Sequence, residues 1–385
     1  MFKGFFVFII QWINLVVHSI YFLLAKRPGN FFRYTLLIII GLPILLLLQL
    51  FNWIGFLLDE ILFRGYRAVD IKKPLFILGV PRSGTTFLQR TLAKDTQLTT
   101  TELWECVFAP SISQRYFWTF FSVILSPLGK LFGKITSGFS QKMNAIHALG
   151  LHEAEEDFLL LLPILHSFIQ MVIFPGLPMH WRLAFIDRDF QKKDRAFVLH
   201  FYHRMIQKHL YFHGQDKTYL SKNPSFTSLL EGLLNNYPNA QFIACVRAPE
   251  NTVPSQFASL APAFDLLGHD LQDIEFKTSV LQMLGYYYRH IADNASNNER
   301  CKIITMDELK QELLPAIYAI YRQCDWEMSD ELRSHYQLLS DQNKNYKSAH
   351  QYAQSDSVDS DIFEPFKGCW PMPENISLLE KSQDS

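Results

Sequence analysis

The sequence predicts an α/β protein, with an open parallel sheet carrying helices on both faces and, ahead of it, helices that associate with a membrane. Three observations predict this. Residues 4–58 carry only Lys26, Arg27 and Arg33 as formal charges. Beyond residue 59, short apolar runs alternate with helix-like segments, the order that builds parallel β-α-β units. Between the first such run and its helix, Gly79 and Gly84 are separated by four residues, the spacing of a phosphate-cradling loop.

The elements follow in order. Residues 4–25 and 34–58 are uncharged stretches joined by the basic turn 26–30. At 1.5 Å per residue the second reaches roughly 37 Å, against about 30 Å of hydrocarbon, so it is long enough to span. Its Gly41-Leu42-Pro43 break allows a kink or a re-entrant hairpin. In the first stretch Gln11, Asn14 and His18 fall three and four apart, a polar stripe suited to an interfacial or packed helix. After a linker, Leu75–Val80 is an apolar run of the kind buried in parallel sheets, broken at Pro81–Thr86 and followed by a helix over 87–94. Residues 104–175, rich in aromatics and leucine, read as mainly helical. Lys217–Ser221, Gln241–Val246 and Cys301–Met306 are the remaining strands, with helices over Ser225–Asn236, from Arg247 to about Leu260, and over 307–323. Three regions result: a membrane-associated hairpin or anchor (1–58), a catalytic domain (59–352) and an acidic flexible tail (353–385).

Composition narrows the function. The chain has 385 residues, with 36 Lys+Arg against 37 Asp+Glu, a formal net charge of −1. That balance excludes a nucleic-acid binder held by bulk positive charge. Hydrophobic residues at 49%, with 33 Phe, exclude a disordered or fibrous chain. The five cysteines are scattered and form no C-x-x-C pair, against a disulfide framework or structural zinc. They favour a reducing compartment, with the catalytic domain facing the cytoplasm.

The loop Gly79-Val80-Pro81-Arg82-Ser83-Gly84-Thr85-Thr86 puts backbone N–H groups and a helix start toward an anion. A nucleoside triphosphatase of P-loop type would carry Lys then Ser/Thr after the second glycine; here Thr85 and Thr86 stand there, and Arg82 lies inside the loop. Such a loop suits a donor that needs no magnesium.

This string, after a strand and before a helix, resembles the 5′-phosphosulfate loop of the sulfotransferases, whose donor is 3′-phosphoadenosine 5′-phosphosulfate (PAPS). The resemblance implies that Arg82, Ser83, Gly84, Thr85 and Thr86 hold the donor's 5′ end. It assigns the 3′-phosphate to Arg247, at a strand end, and Ser255, eight residues on. Leu220–Pro224 and Asn236–Ala240 look closest to the bacterial carbohydrate-type and tyrosylprotein members, whose matching lysine contacts the transferring group; here that is Lys222. Tyr346–Tyr352 resembles the family's late basic loop over the nucleotide, which brings in Lys347 and Ser348.

Transfer to a hydroxyl requires a base. Family members use His or Glu, and Glu105 in Thr101–Glu105 is the first choice, with Glu102 second. His152 heads a further cluster, His152–Asp157, the other candidate: its composition is that of a charged helix start, the alternative being a segment that contacts the acceptor. No metal is expected. The sequence therefore reads as a membrane-associated sulfotransferase moving sulfuryl from PAPS to an acceptor hydroxyl, with a lipid, glycan or other amphiphile as the expected acceptor class. Its rivals are an atypical P-loop kinase and a catalytically dead nucleotide-binding membrane anchor.

Overall fold

The computed structural model describes residues 1–26, 31–121, 154–344 and 360–379. Five parallel strands, β1 (Leu75–Gly79), β2 (Leu98–Thr99), β3 (Thr218–Lys222), β4 (Gln241–Val246) and β5 (Cys301–Thr305), lie in the order β2-β3-β1-β4-β5. Alternation of side chains sorts each strand into two cores. Phe76, Leu78, Phe242, Ala244 and Val246 face one layer, and Leu75, Ile77, Ile243 and Cys245 the other. Because both faces are covered, these strands read as unbroken apolar runs. The two-residue edge strand β2 has no such run, which is why four strands were expected and five are present.

Helices that serve the sheet or its site include α4 (Thr85–Leu92), α5 (Leu103–Phe108), α6 (Lys192–His213), α7 (Leu230–Asn236), α8 (Pro249–Leu267), α9 (Ile274–Ser296) and α10 (Met306–Gln311). They follow three N-terminal ones, α1 (Phe2–Lys26), α2 (Phe31–Leu36) and α3 (Leu42–Leu62). The expected helix over 307–323 is instead broken at Glu312, and the one over Ser225–Asn236 opens with a 3₁₀ turn, Pro224–Leu229. Pro224, with its fixed φ and no N–H, suits that tight start.

The Gly41-Leu42-Pro43 break is no hairpin: a π-helical turn, Leu37–Gly41, absorbs it, and residues 31–62 continue as one helical rod. Pro43 removes a backbone donor, and a wide turn accommodates the loss. Both N-terminal rods are long and apolar enough to cross a membrane. Their inner faces nevertheless belong to the catalytic core. Phe8, Trp53 and Phe56 are buried with Phe201 and Tyr202 of α6, and the Trp53 indole donates to the Pro163 carbonyl (3.0 Å). Asp59, fully buried, accepts from the Lys208 ammonium (2.6 Å) and the backbone N–H groups of Ile112 (3.0 Å) and Ser113 (2.8 Å). The outer faces stay bare: Phe6, Ile13 and Val17 of α1, like Ile44, Leu47 and Ile54 of α3, are each more than half exposed.

The tail also departs from expectation. Over residues 360–379 it is packed rather than loose, since Phe366, Cys369, Ile376 and Leu378 are buried. Ser377 bridges Ile303 of β5, and the Leu378 N–H donates to the Ile303 carbonyl (2.7 Å). Apolar residues dispersed among acids supply this anchoring.

Candidate active site

β1 ends at Gly79, paired with Cys245 of β4. Its φ of +140° and a hypothetical Cβ only 1.9 Å from the Cys245 carbonyl oxygen admit glycine alone. Thr227 fastens the same residue, accepting from the Gly79 N–H (3.1 Å) and donating to its carbonyl (2.7 Å). Gly84, in the left-handed region at φ +93°, precedes α4. The buried Ser83 hydroxyl donates to the Val80 carbonyl (2.6 Å), so it ties the loop internally. Arg82, also left-handed at φ +66°, points outward, and its Nε donates to the Ser255 hydroxyl on α8 (3.2 Å). Loop and helix, 173 residues apart, thus meet as their separate motifs required. Arg247 follows β4, half-buried, its carbonyl accepting from the hydroxyls of Tyr288 and Thr252.

Beyond the carboxyl ends of the strands lies a cavity of about 480 Å³, where a parallel sheet of this kind places its ligands. Arg82, Gly84, Thr85 and Thr86 line one end; Phe158, Phe168, Met171, Trp181, Phe276 and Met283 make the remainder largely apolar, with Ser225, Gln256 and Ser259 among them. Among the described residues one carboxylate enters it, that of Glu156. The antiparallel bridge Glu102↔Ala154 and the bond from the Glu155 N–H to the Thr101 carbonyl (3.0 Å) clamp the preceding backbone. Glu156 is thereby held at the cavity, while Asp157 turns into the core beneath the hydroxyls of Tyr202 and Tyr219. The Lys222 ammonium, at the end of β3, is 2.9 Å from Glu156 Oε1. Burial pushes the Glu156 carboxyl up from its ordinary value, with Lys222 opposing.

Glu105 sits elsewhere. It is fully buried, is not among the residues lining the cavity, and its oxygens are already engaged. Oε1 lies 2.5 Å from His213 Nε2 and 3.6 Å from Arg115 Nε, while Oε2 accepts from the Glu102 N–H (3.2 Å) in a capping box. Burial alone would raise its carboxyl, but Arg115, His213 and His209 hold it far below the carboxylate range. One ligand atom each from Glu105, His209 and His213 lie within 4.8 Å of one another, a span a cation could bridge, yet Arg115 already supplies the positive charge there. Glu102 caps α5 and accepts from the Trp104 indole (2.7 Å). His152, Lys347 and Ser348 fall outside the described residues.

Sequence reasoning passed over Glu156 as one acid among several. The signal available was its place immediately before a run, 158–165, too apolar to let every preceding acid face water. Thr227 gave no signal.

A parallel sheet in this order, with a glycine-bracketed anion loop after its central strand, defines a P-loop-like α/β protein. A family model described as the sulfotransferase family matches residues 74–330, and the chain belongs to that family. Among solved structures it resembles sulfotransferase STF1 from Mycobacterium tuberculosis H37Rv (19% identity, 92% of each chain, TM-score 0.63). It also resembles sulfotransferase STF9 from Mycobacterium avium (16% identity, 81% of this chain and 79% of that one, TM-score 0.61). These likenesses speak for the fold. No curated protein matches the chain.

Proposed function

We propose that the protein transfers the sulfuryl group of PAPS to an acceptor hydroxyl presented at a membrane, with Glu156 as the base. The observation that carries this is the Glu156–Lys222 pair at the cavity that the phosphate loop opens onto. The acceptor oxygen attacks sulfur as the bond from sulfur to the donor's 5′-phosphate oxygen breaks. The acceptor proton passes to Glu156, and 3′,5′-bisphosphoadenosine leaves. Lys222 and Arg82 offset the charge gathering on the bridging oxygen. Arg82 to Thr86 hold the 5′ end, and Arg247 with Ser255 the 3′-phosphate, a charge-assisted grip. Glu156 replaces Glu105 in this reading because a base must reach the substrate.

The apolar remainder of the cavity favours an amphiphile, lipid or glycolipid, over a free sugar. The short helix Ile169–Ile173 supports this: Ile169, Met171 and Val172 line the cavity, while Ile173 belongs to the apolar cluster that Leu15, Leu23 and Leu42 of the N-terminal rods form with Phe174 and Leu177. The five cysteines are unpaired and buried, which fits a catalytic domain facing the cytoplasm. The test is incubation of the full-length protein with ³⁵S-labelled PAPS and a membrane extract, followed by identification of the labelled product. Label in an extractable lipid supports the reading. Activity seen only with ATP and magnesium, and lost with EDTA, would replace it with a kinase.

A further inference from the structure

The Gln11, Asn14 and His18 stripe of α1 has no part in the chemistry above, yet it roofs a second cavity of about 270 Å³. Gln170, His180 and Arg182 form its floor. No carboxylate lines it among the described residues, and its one permanent charge is the Arg182 guanidinium. His180 is only 3% exposed; neither ring nitrogen makes a well-formed hydrogen bond, although the Phe174 and Gln170 carbonyls lie beside the ring, and burial lowers its pKa to about 4, so it is neutral. A buried polar group is normally satisfied, so an imidazole left without a well-formed bond on the wall of a polar cavity leaves room for a ligand. The Arg182 guanidinium and the Gln11 and Asn14 amides line it without a competing acid, which suits an oxyanion.

Helix geometry places this cavity relative to a bilayer. At roughly 100° per residue, the stripe lies about 80° round α1 from the buried Phe8 and Leu15, and about 100° from the exposed Phe6, Ile10, Ile13 and Val17. With that exposed face on hydrocarbon, the stripe sits at headgroup level. We propose that the cavity under α1 binds a phosphate group, carried by an anionic phospholipid headgroup or free in solution. The inference does not depend on the catalytic reading.

The test titrates the full-length protein in neutral detergent with dihexanoylphosphatidylglycerol and, separately, with inorganic phosphate, reading tryptophan fluorescence from Trp12 and Trp181. Saturable binding is expected, weakened roughly ten-fold or more in Arg182→Gln. Asn14→Leu, which removes a donor from the opposite wall, should weaken it too, whereas Arg333→Gln on the far surface should not. Lipid binding at least ten-fold tighter than phosphate identifies a headgroup site; equal affinities identify a free-anion site. Absence of saturation with both probes, or affinities unchanged in both Arg182→Gln and Asn14→Leu, would overturn the proposal. PAPS-dependent turnover of a soluble acceptor should survive Arg182→Gln, which separates this outcome from a failure of the catalytic assignment.

Discussion

Glu156 carries the sharpest residue-level expectation. Glu156→Gln keeps size and polarity but cannot take a proton, so turnover should fall about a hundred-fold or more while affinity for 3′,5′-bisphosphoadenosine holds. Burial raises the Glu156 carboxyl, so its basic form appears only above the ordinary carboxylate range. The acid limb of kcat/KM against pH should therefore sit above that range, with activity rising as pH rises through it. Glu105→Gln should behave oppositely, lowering the unfolding midpoint by leaving Arg115 buried without its anion. If Glu105→Gln abolishes turnover in a fully folded enzyme while Glu156→Gln is active, the assignment of the base is wrong. At Arg247, substitution by Ala should weaken 3′,5′-bisphosphoadenosine roughly ten- to a hundred-fold more than adenosine 5′-phosphosulfate, which lacks the 3′-phosphate. Equal losses for the two ligands would remove Arg247 from that role.

Elements differ in how plainly the sequence announces them. Strand β1 and most of β4 are contiguous apolar runs, β5 is a short one interrupted by Lys302, and the loop between Gly79 and Gly84 is a local spacing, so all were readable. The pairing of Arg82 with Ser255 was readable only as two separate motifs, since parallel neighbours β1 and β4 bring them together. Glu156 depends on something non-local, the bridge between Glu102 and Ala154, and no periodicity records a bridge of that kind. The seating of α1 and α3 in the catalytic core was illegible for a related reason: an apolar residue reads the same against lipid as against Phe201. Two substitutions probe these elements. Gly79→Ala drives a methyl into the Cys245 carbonyl and should cost about 3 kcal/mol or more, visible as a lower urea midpoint. Asp59→Asn leaves the Lys208 charge buried and unpaired, a loss of about 3–5 kcal/mol by the same measurement. An unchanged midpoint in Asp59→Asn would mean that α3 is not fixed to the domain through this pair.

On the scale of the whole molecule, the N-terminal rods are part of the folded unit rather than a leash on it. A chain beginning at Asp59 would uncover the surfaces that Phe8, Trp53 and Phe56 now bury. It is expected to lose cooperative thermal unfolding, and with it nucleotide binding, before any question of substrate access arises. A truncated protein that melts cooperatively at the full-length temperature would show the rods to be dispensable for folding. The exposed apolar faces of α1 and α3 leave the full-length chain with a strong tendency to associate in plain buffer.

The helix Ile169–Ile173 has one side in the catalytic cavity and the other against those rods. Whatever surrounds the rods therefore bears, through a thin layer of side chains, on the cavity proposed to take the acceptor. For anyone purifying the enzyme, the surfactant becomes an assay variable rather than a solubiliser. Kinetic constants measured in one micelle type should not transfer to another, and acceptor preferences ought to be compared only at a fixed amphiphile composition.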